Sequence, residues 1–310
     1  MPDCPRVNPA LLLSIDFEDW HQLVRRTAGA PDWDVRGPAL ERQTNAVLDL
    51  LDEVGAKATF FFLGITARRY PELVQEIARR GHEPACHGFA HERVYGQSRD
   101  EFAADVESAA SLIEETTGRR PVSYRAPAFS INRDTPWAYD VLAEHGFRFD
   151  SSQYDSPKVP NRLGGIPDAP YRLELESGRE LWELPVTVTR VRGRVVPIGG
   201  GSYWRLLPTA TIVRGLRRAG DANPFPVLYF HPYEFDPEPL HAQLAAPSMT
   251  SRLYAARRSL WRNTGRGLVP KRLRAVATRF RLLSYEQAYG DIVEQYRTRS
   301  RALSREGVLV

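Results

Sequence analysis

An α/β protein built on a parallel sheet is the fold class that this 310-residue sequence predicts, and three observations carry the prediction. Short apolar runs, "LLLSI" (11–15) and "ATFFFLG" (58–64), alternate with longer segments whose apolar residues recur at helical spacing, "GPALERQTNAVLDLLDEVG" (37–55) and "YPELVQEIARRG" (70–81), both ending in glycine. Strand followed by helix, repeated, places successive strands parallel. Clusters of acids, bases and histidines fall where the strands stop, the edge at which parallel α/β folds build active sites.

The remaining elements follow in order. After the strand-like "HEPAC" (82–86) come the helix "SRDEFAADVESAASLIEETTG" (98–118), the strand "VSYRAP" (122–127), the helix "RDTPWAYDVLAEHG" (133–146) and the strand "FRFDSS" (147–152). From 155 to 205 glycine and proline break the pattern; the aromatics there point to a packed, functional loop region with short strand-like pieces such as "ELWELPVTV" (180–188). "LPTATIVRGLRRAG" (207–220) reads as a helix ending in Gly220, and "PFPVLYFHPYEF" (224–235) as another apolar strand running into polar residues.

Past Pro239 no acid occurs before Glu286, while residues 252–281 carry ten Lys and Arg among Leu, Trp and Phe, with a Gly/Pro break. Two amphipathic helices are expected, packed as a terminal element with a basic solvated face; an anionic membrane surface or an anionic lipid-linked or polymeric substrate is the alternative partner. The expected division is a catalytic unit over 1–240 and a basic helical extension over 241–310.

Composition narrows the function classes. A hydrophobic content of 42% supports a sizeable core, and a net charge of +4 is too small over this length to imply nucleic acid. Two cysteines, Cys4 and Cys86, make neither a disulfide framework nor a four-thiolate zinc site, which fits a reducing compartment. The N-terminus lacks a signal-peptide pattern and no stretch approaches the ~18 apolar residues of a membrane span, so the expected location is cytoplasmic, with peripheral membrane contact allowed.

The chemistry begins at "SIDFED" (14–19), where Asp16, Glu18 and Asp19 end the first strand. Burying an unpaired carboxylate costs several kcal/mol, so these three need water, a base or a cation. His87 and His91 in "HGFAH" are four apart, which on a helical turn brings two imidazoles to one ion. A catalytic zinc site takes three protein ligands, and a carboxylate from the first strand completes the set while another acts as base toward water. Asp16 and Glu18 share a face of an extended chain, whereas Asp19 joins them only after a turn. Arg125 in "YRAPAFS" is placed to pair with a carboxylate, and His231 in "LYFHPYE" to act as general acid. His82 falls inside a strand and is read as structural.

The ordered set "SIDFED", "HGFAH", "RAPAFS" and "YFHP" resembles the polysaccharide deacetylases of carbohydrate esterase family four. "FDSSQYD", "WELPVTV", "GGGSYWRLLP", "FHPYEFDPEP" and the basic tail are similar to the branch encoded with exopolysaccharide and exosortase gene clusters, so the likeness runs over nearly the whole chain. The resemblance implies a distorted (β/α) barrel of seven or eight strands. It also implies a hydrolase using Zn²⁺ or another divalent metal to remove N-acetyl groups from amino sugars of a polysaccharide or its lipid-linked precursor. By this resemblance Asp16 matches the catalytic base, His87 and His91 the metal-binding histidines, Arg125 the arginine paired with the base, and His231 the acid. Asp150 in "FDSS" falls near the motif that orients that histidine. Many relatives have adjacent aspartates where this chain has "DFED", which leaves Glu18 and Asp19 as alternative carboxylate ligands.

A backbone N–H near Ala128 or Phe129 is expected to hold the oxyanion. Trp20, Trp33, Phe129, Tyr203, Trp204 and Tyr233 lie in or beside the loops of this face as candidates to contact sugar rings. Two rival readings are an amide hydrolase of the ureide type and a non-catalytic glycan-binding member of the fold; retention of both histidines argues against metal-free chemistry.

Overall fold

Eight consecutive buried residues make β1 (Ala10–Phe17) the strand around which the chain assembles. The computed structural model describes residues 8–30, 33–156, 159–242, 248–304 and 307–310, so the Cys4 reading lies outside it. After β1 come α1 (Trp20–Thr27), α2 (Leu40–Glu53), β2 (Thr59–Phe62), α3 (Gly64–Arg69), α4 (Pro71–Arg79), β3 (Glu83–Cys86), α5 (Arg99–Thr117), β4 (Ser123–Tyr124), α6 (Ala138–Glu144) and β5 (Phe149–Asp150). Local chemistry sets these bounds. Ser98 and Glu101 form a capping box at the start of α5, and Gly118 at φ 71° ends it in the left-handed conformation that costs glycine least.

The stretch read as loops holds more sheet than its punctuation suggests. It contains a hairpin, β6 (Tyr171–Glu174) and β7 (Glu180–Glu183), and a second, β8 (Thr189–Val191) and β9 (Arg194–Val196), before α7 (Gly201–Trp204), α8 (Thr209–Ala222) and β10 (Val227–Phe230). Gly220 does not end α8, which runs on to Ala222 with Asn223 as its cap.

Strands β10, β1, β2, β3, β4, β5 and β7 are neighbours in that order and all parallel. Isolated bridges, Val186 to Val227 and Gly200 to Tyr229, lead the chain just past β7 back to β10. The Thr187 N–H donates to the Val227 carbonyl at 3.1 Å and the Tyr229 N–H to the Gly199 carbonyl at 2.9 Å. The sheet thus curls into the expected distorted barrel, closed by bridges rather than by a full ladder.

Alternation along β1 sorts its side chains. Leu11, Leu13, Ile15 and Phe17 join the outer core beneath the helices, while Leu12 packs in the inner core with Phe61, Ala85, Phe149 and Val227. The inner face of β1 therefore reads Leu12, Ser14, Asp16, changing from apolar to charged toward the strand's C-terminal end.

The two basic helices are present as α9 (Met249–Asn263) and α10 (Val269–Ala277), but the segment past 240 is not only helical. β11 (Arg281–Leu283) pairs in parallel with the start of β1, α11 (Tyr289–Tyr296) follows, and β12 (Ser300–Arg301) pairs with β6. A boundary at residue 240 therefore does not divide the sheet. Strands of two or three residues carry no readable period, and the flanking arginines masked Leu282 and Leu283. Among the described residues no helix is long and apolar enough to cross a membrane.

Candidate active site and metal centre

At the C-terminal end of β1, Asp16 receives the Arg125 Nη1 donor at 2.6 Å, with both side chains buried. Arg125 stands just past β4 and spends all five of its N–H donors: on Ser14 Oγ (2.9 Å) and Asp16 through Nη1, on the Ser151 carbonyl (3.1 Å) through Nε, and on Ser151 Oγ (2.9 Å) and the Tyr285 hydroxyl (2.7 Å) through Nη2. Phe61 lies under the guanidinium at 4.3 Å. A buried ion pair survives desolvation only when its remaining donors are met, which this set achieves. Burial pulls the Arg125 pKa down, but Asp16 and the facing phenols outweigh it and raise it. Tyr285, a residue the sequence reading did not single out, comes from the segment after β11.

One residue beyond β1 the chain turns, with the Glu18 N–H donating to the Asp16 carbonyl at 3.0 Å. The turn separates the two later acids. Glu18 Oε1 lies 3.1 Å from His87 Nε2 and 3.0 Å from His91 Nε2. Asp19 goes the other way and caps α1: its Oδ1 accepts the His21 N–H at 2.9 Å, and its Oδ2 accepts the Gly37 N–H at 2.7 Å and the Tyr70 hydroxyl at 2.5 Å. The expectation of Asp19 as a ligand is thereby corrected, since its oxygens are committed to helix α1 and the loop before α2.

The histidine loop is not the helical turn that its spacing suggested. Gly88 (φ 75°) and His91 (φ 59°) adopt left-handed conformations in an irregular loop, which sets the two imidazoles 5.5 Å apart at 73°. His87 Nδ1 lies 2.7 Å from the Arg125 carbonyl; as donor there it leaves the Nε2 lone pair facing Glu18.

His231, after β10, has Nε2 3.8 Å from Glu18 Oε2 and Nδ1 3.4 Å from Glu234 Oε2. Glu234, which the sequence reading missed, is the buried acid placed to orient this imidazole. Its signal was the three-residue spacing in "HPYE", and Gly201 faces its carboxylate so closely that a Cβ there would collide with it. Asp150, expected in that role, instead accepts the Ser152 hydroxyl at 2.6 Å and N–H at 3.2 Å. Ser152 Oγ in turn receives the Ala126 N–H at 2.8 Å, so Asp150 braces the loop beyond Arg125. Burial raises the pKa of Asp150 and, well above the usual carboxyl range, that of neighbouring Glu183.

Electrostatics separates the roles further. Burial alone raises the Glu18 pKa, but the imidazoles around its carboxylate outweigh it and carry it well below the usual range. For His231, burial lowers the pKa and is outweighed by Glu234, Glu18 and Asp16, which favour the imidazolium and raise it. His82 sits outside both candidate ligand groups, accepts the Ala58 N–H at Nδ1 (3.2 Å), and is pushed down to about 4 by burial.

These groups open on a cavity of about 750 Å³ lined by Asp16, Glu18, His87, His91 and His231, with Trp20, Phe129 and Tyr233 on its walls. Trp204 is not among them: it is fully buried, donates its indole N–H to the Ile198 carbonyl at 2.7 Å, and packs edge-on against Phe230. Neither Trp33, which lies under the Arg26 guanidinium, nor Tyr203 lines the cavity, whereas Tyr229, Tyr95 and Tyr254 do. The Phe129 N–H is engaged by the Ala126 carbonyl at 3.0 Å, and both Ala128 (φ 54°) and Phe129 (φ 56°) are left-handed.

A divalent cation fits the donor set. Glu18, His87 and His91 each offer a ligand atom within 4.8 Å of the others, the His87 tautomer is fixed, and a second group of Asp16, Glu18 and His231 shares the same carboxylate.

Fold and site define the class first: a seven-stranded parallel α/β barrel with a candidate metal centre at the C-terminal edge of its strands. Residues 33–149 match the family model for polysaccharide deacetylase. Residues 152–289 match a second model, a domain of unknown function numbered 3473. Asp16 and Glu18 precede the first match, and His231 lies in the second.

Among curated proteins the chain is 33% identical over 103 residues to a peptidoglycan-N-acetylglucosamine deacetylase of Bacillus cereus, covering 33% of this chain and 37% of that protein. It is 28% identical over 168 residues to a peptidoglycan deacetylase of Helicobacter pylori, covering 54% and 56%. The chain thus spans from about a third to just over half of these relatives' lengths. A crystal structure of an inferred polysaccharide deacetylase from Mycobacterium smegmatis superposes with a TM-score of 0.60 at 24% identity, over 94% of this chain and 93% of that one, and shares the fold.

Proposed function

We propose that the protein hydrolyses the N-acetyl group of an amino sugar within a glycan. The observation that carries this reading is the single carboxylate of Glu18, which meets His87 and His91 on one side and His231 on the other, beside an Asp16–Arg125 pair. Glu18, His87 and His91 would hold the cation, and two imidazoles with one carboxylate suit zinc. When bound, such an ion supplies a Lewis acid for the acetyl carbonyl and acidifies water.

The chain's own groups supply the proton transfers. Arg125 fixes Asp16 in place, so that its carboxylate takes a proton from the attacking water. The backbone at Ala128, whose left-handed conformation faces the cavity, offers its N–H to the developing oxyanion. His231, kept as imidazolium by Glu234, donates a proton to the departing amine, and acetate is released. Trp20, Phe129 and Tyr233 present ring faces and edges to the sugar.

Relatives named as acting on peptidoglycan and chitooligosaccharide make N-acetylglucosamine oligomers the first substrates to try. An exopolysaccharide or its lipid-linked precursor is the finer proposal. Exposed Met249, Leu253, Leu260 and Trp261 on α9, near Arg252 and Arg257, support contact with an anionic membrane surface from the cytoplasmic side. Zinc-loaded protein should release acetate from N-acetylglucosamine oligomers and lose that activity to chelator. Glycan binding without acetate release would instead mark a non-catalytic member of the fold.

A further inference from the structure

We propose, on the reading just given, that the amino sugar taken by this site carries an anionic group, bound by Arg258 and Arg262 of α9 together with Arg93. Four arginines line the cavity: Arg26, Arg93, Arg258 and Arg262. Arg26 is neutralised by Glu92 and also donates to the Ala90 carbonyl. Among the described residues no carboxylate forms an ion pair with the other three. The acids facing the same space are committed elsewhere, Asp16 to Arg125, Glu18 to the imidazoles and Glu92 to Arg26.

Their placement says which part of the substrate they meet. Tyr254, Arg258 and Arg262 recur at four-residue steps, so one face of α9 fronts the cavity. Arg262 donates to the Tyr233 hydroxyl with its guanidinium over that ring at 5.1 Å, and Tyr233 stacks on His231 with centroids 5.2 Å apart. Arg262 is therefore one side chain removed from the acid that protonates the leaving amine, on the sugar's side of the scissile bond. The Nε atoms of Arg258 and Arg262 are both buried without a hydrogen-bond partner among the described residues.

Guanidinium groups that have buried donors and no carboxylate ion pair are costly in a protein that binds only neutral sugars, and favourable in one that receives an anion. A carboxylate of a uronate and a phosphate of a diphosphate-linked sugar both accept the forked guanidinium bond, so either source supplies the chemistry.

The test uses full-length, metal-loaded Asp16→Asn protein, so that binding is read without turnover. Three probes are titrated: the N-acetylglucosamine tetrasaccharide, a tetrasaccharide alternating N-acetylglucosamine with glucuronate, and a nucleoside-diphosphate-linked N-acetylglucosamine. At least one anionic probe should bind about tenfold or more tightly than the neutral one, and the better of the two identifies the source. Raising the salt should erode that ratio, Arg258→Gln should bring it toward one, and Arg258→Lys, which keeps the charge without the fork, should fall between. Equal affinity for neutral and anionic probes, or a ratio untouched by both salt and Arg258→Gln, would overturn the proposal. Failure of the deacetylase reading is a separate result, seen as no acetate released by unsubstituted protein from any of the three probes.

Discussion

Two buried glutamates at opposite ends of the same barrel, Glu18 and Glu83, show how partners rather than depth decide what a carboxylate does. Both are nearly inaccessible to solvent. Glu18, beyond the C-terminal end of β1, faces imidazoles and an open cavity and is drawn well below the usual carboxyl range. Glu83, at the first residue of β3, is met by neutral donors: Thr59 Oγ1 at 2.7 Å, Ser123 Oγ at 3.1 Å, the Glu286 N–H at 2.8 Å and the Tyr289 hydroxyl. Burial dominates there and its pKa rises. Imidazoles that can share a cation with it make one glutamate a candidate ligand, while hydroxyls sealed by the chain's last hundred residues make the other a structural plug. Substitutions at the upper end should therefore cost rate or metal, and those at the lower end stability.

The largest effect that would break this contrast is expected at Asp16. Asp16→Asn should lower kcat by about 10³-fold, within the range for a lost general base, with the metal content retained. Full activity in that variant would remove Asp16 from the chemistry. At the opposite end, Glu83→Ala strands three hydroxyls and an amide and should cost about 3 kcal/mol in denaturant unfolding, with kcat of the folded fraction close to unchanged. A large rate loss without destabilisation would erase the distinction.

Acid titration sharpens the same contrast. His82 is held neutral with its pKa pushed down to about 4 against 6.5 when free, so the unfolded chain binds the extra proton between those values. Its contribution is intact above pH 6.5 and is lost as pH falls toward 4, on the order of 3 kcal/mol, and His82→Gln should flatten that slope in unfolding measured against pH. The smallest expected effect is at Glu234. Its carboxylate helps raise the His231 pKa, so Glu234→Gln should move the alkaline limb of kcat/KM to lower pH, by about one unit. A limb that stays in place would mean that His231 is not the acid.

The upper end was the more legible in sequence, because each chemical cluster terminates an apolar strand and the strand order brings those ends together. Asp19 carried a readable signal too, an acid immediately before a helix, which outweighs its place beside Glu18. Glu234 was hidden by the more familiar "FDSS", although its three-residue spacing from His231 was in view. Left-handed His91, Ala128 and Phe129 had no such signal, since the surrounding loops impose conformations that these residue types disfavour. The lower end depends on contacts across the whole chain, with β11 pairing to β1 and Tyr285 reaching Arg125, and such short segments show no period. Trp204 illustrates a further limit: an aromatic in a glycine-rich segment reads alike whether it faces sugar or core.

Metal stoichiometry in two paired variants tests the central claim most directly. Protein dialysed against zinc and then against metal-free buffer should retain about one ion per chain, as should Asp19→Asn, whereas Glu18→Gln should lose it. Retention by Glu18→Gln together with loss in Asp19→Asn would contradict the assignment of Glu18, His87 and His91 as the metal centre.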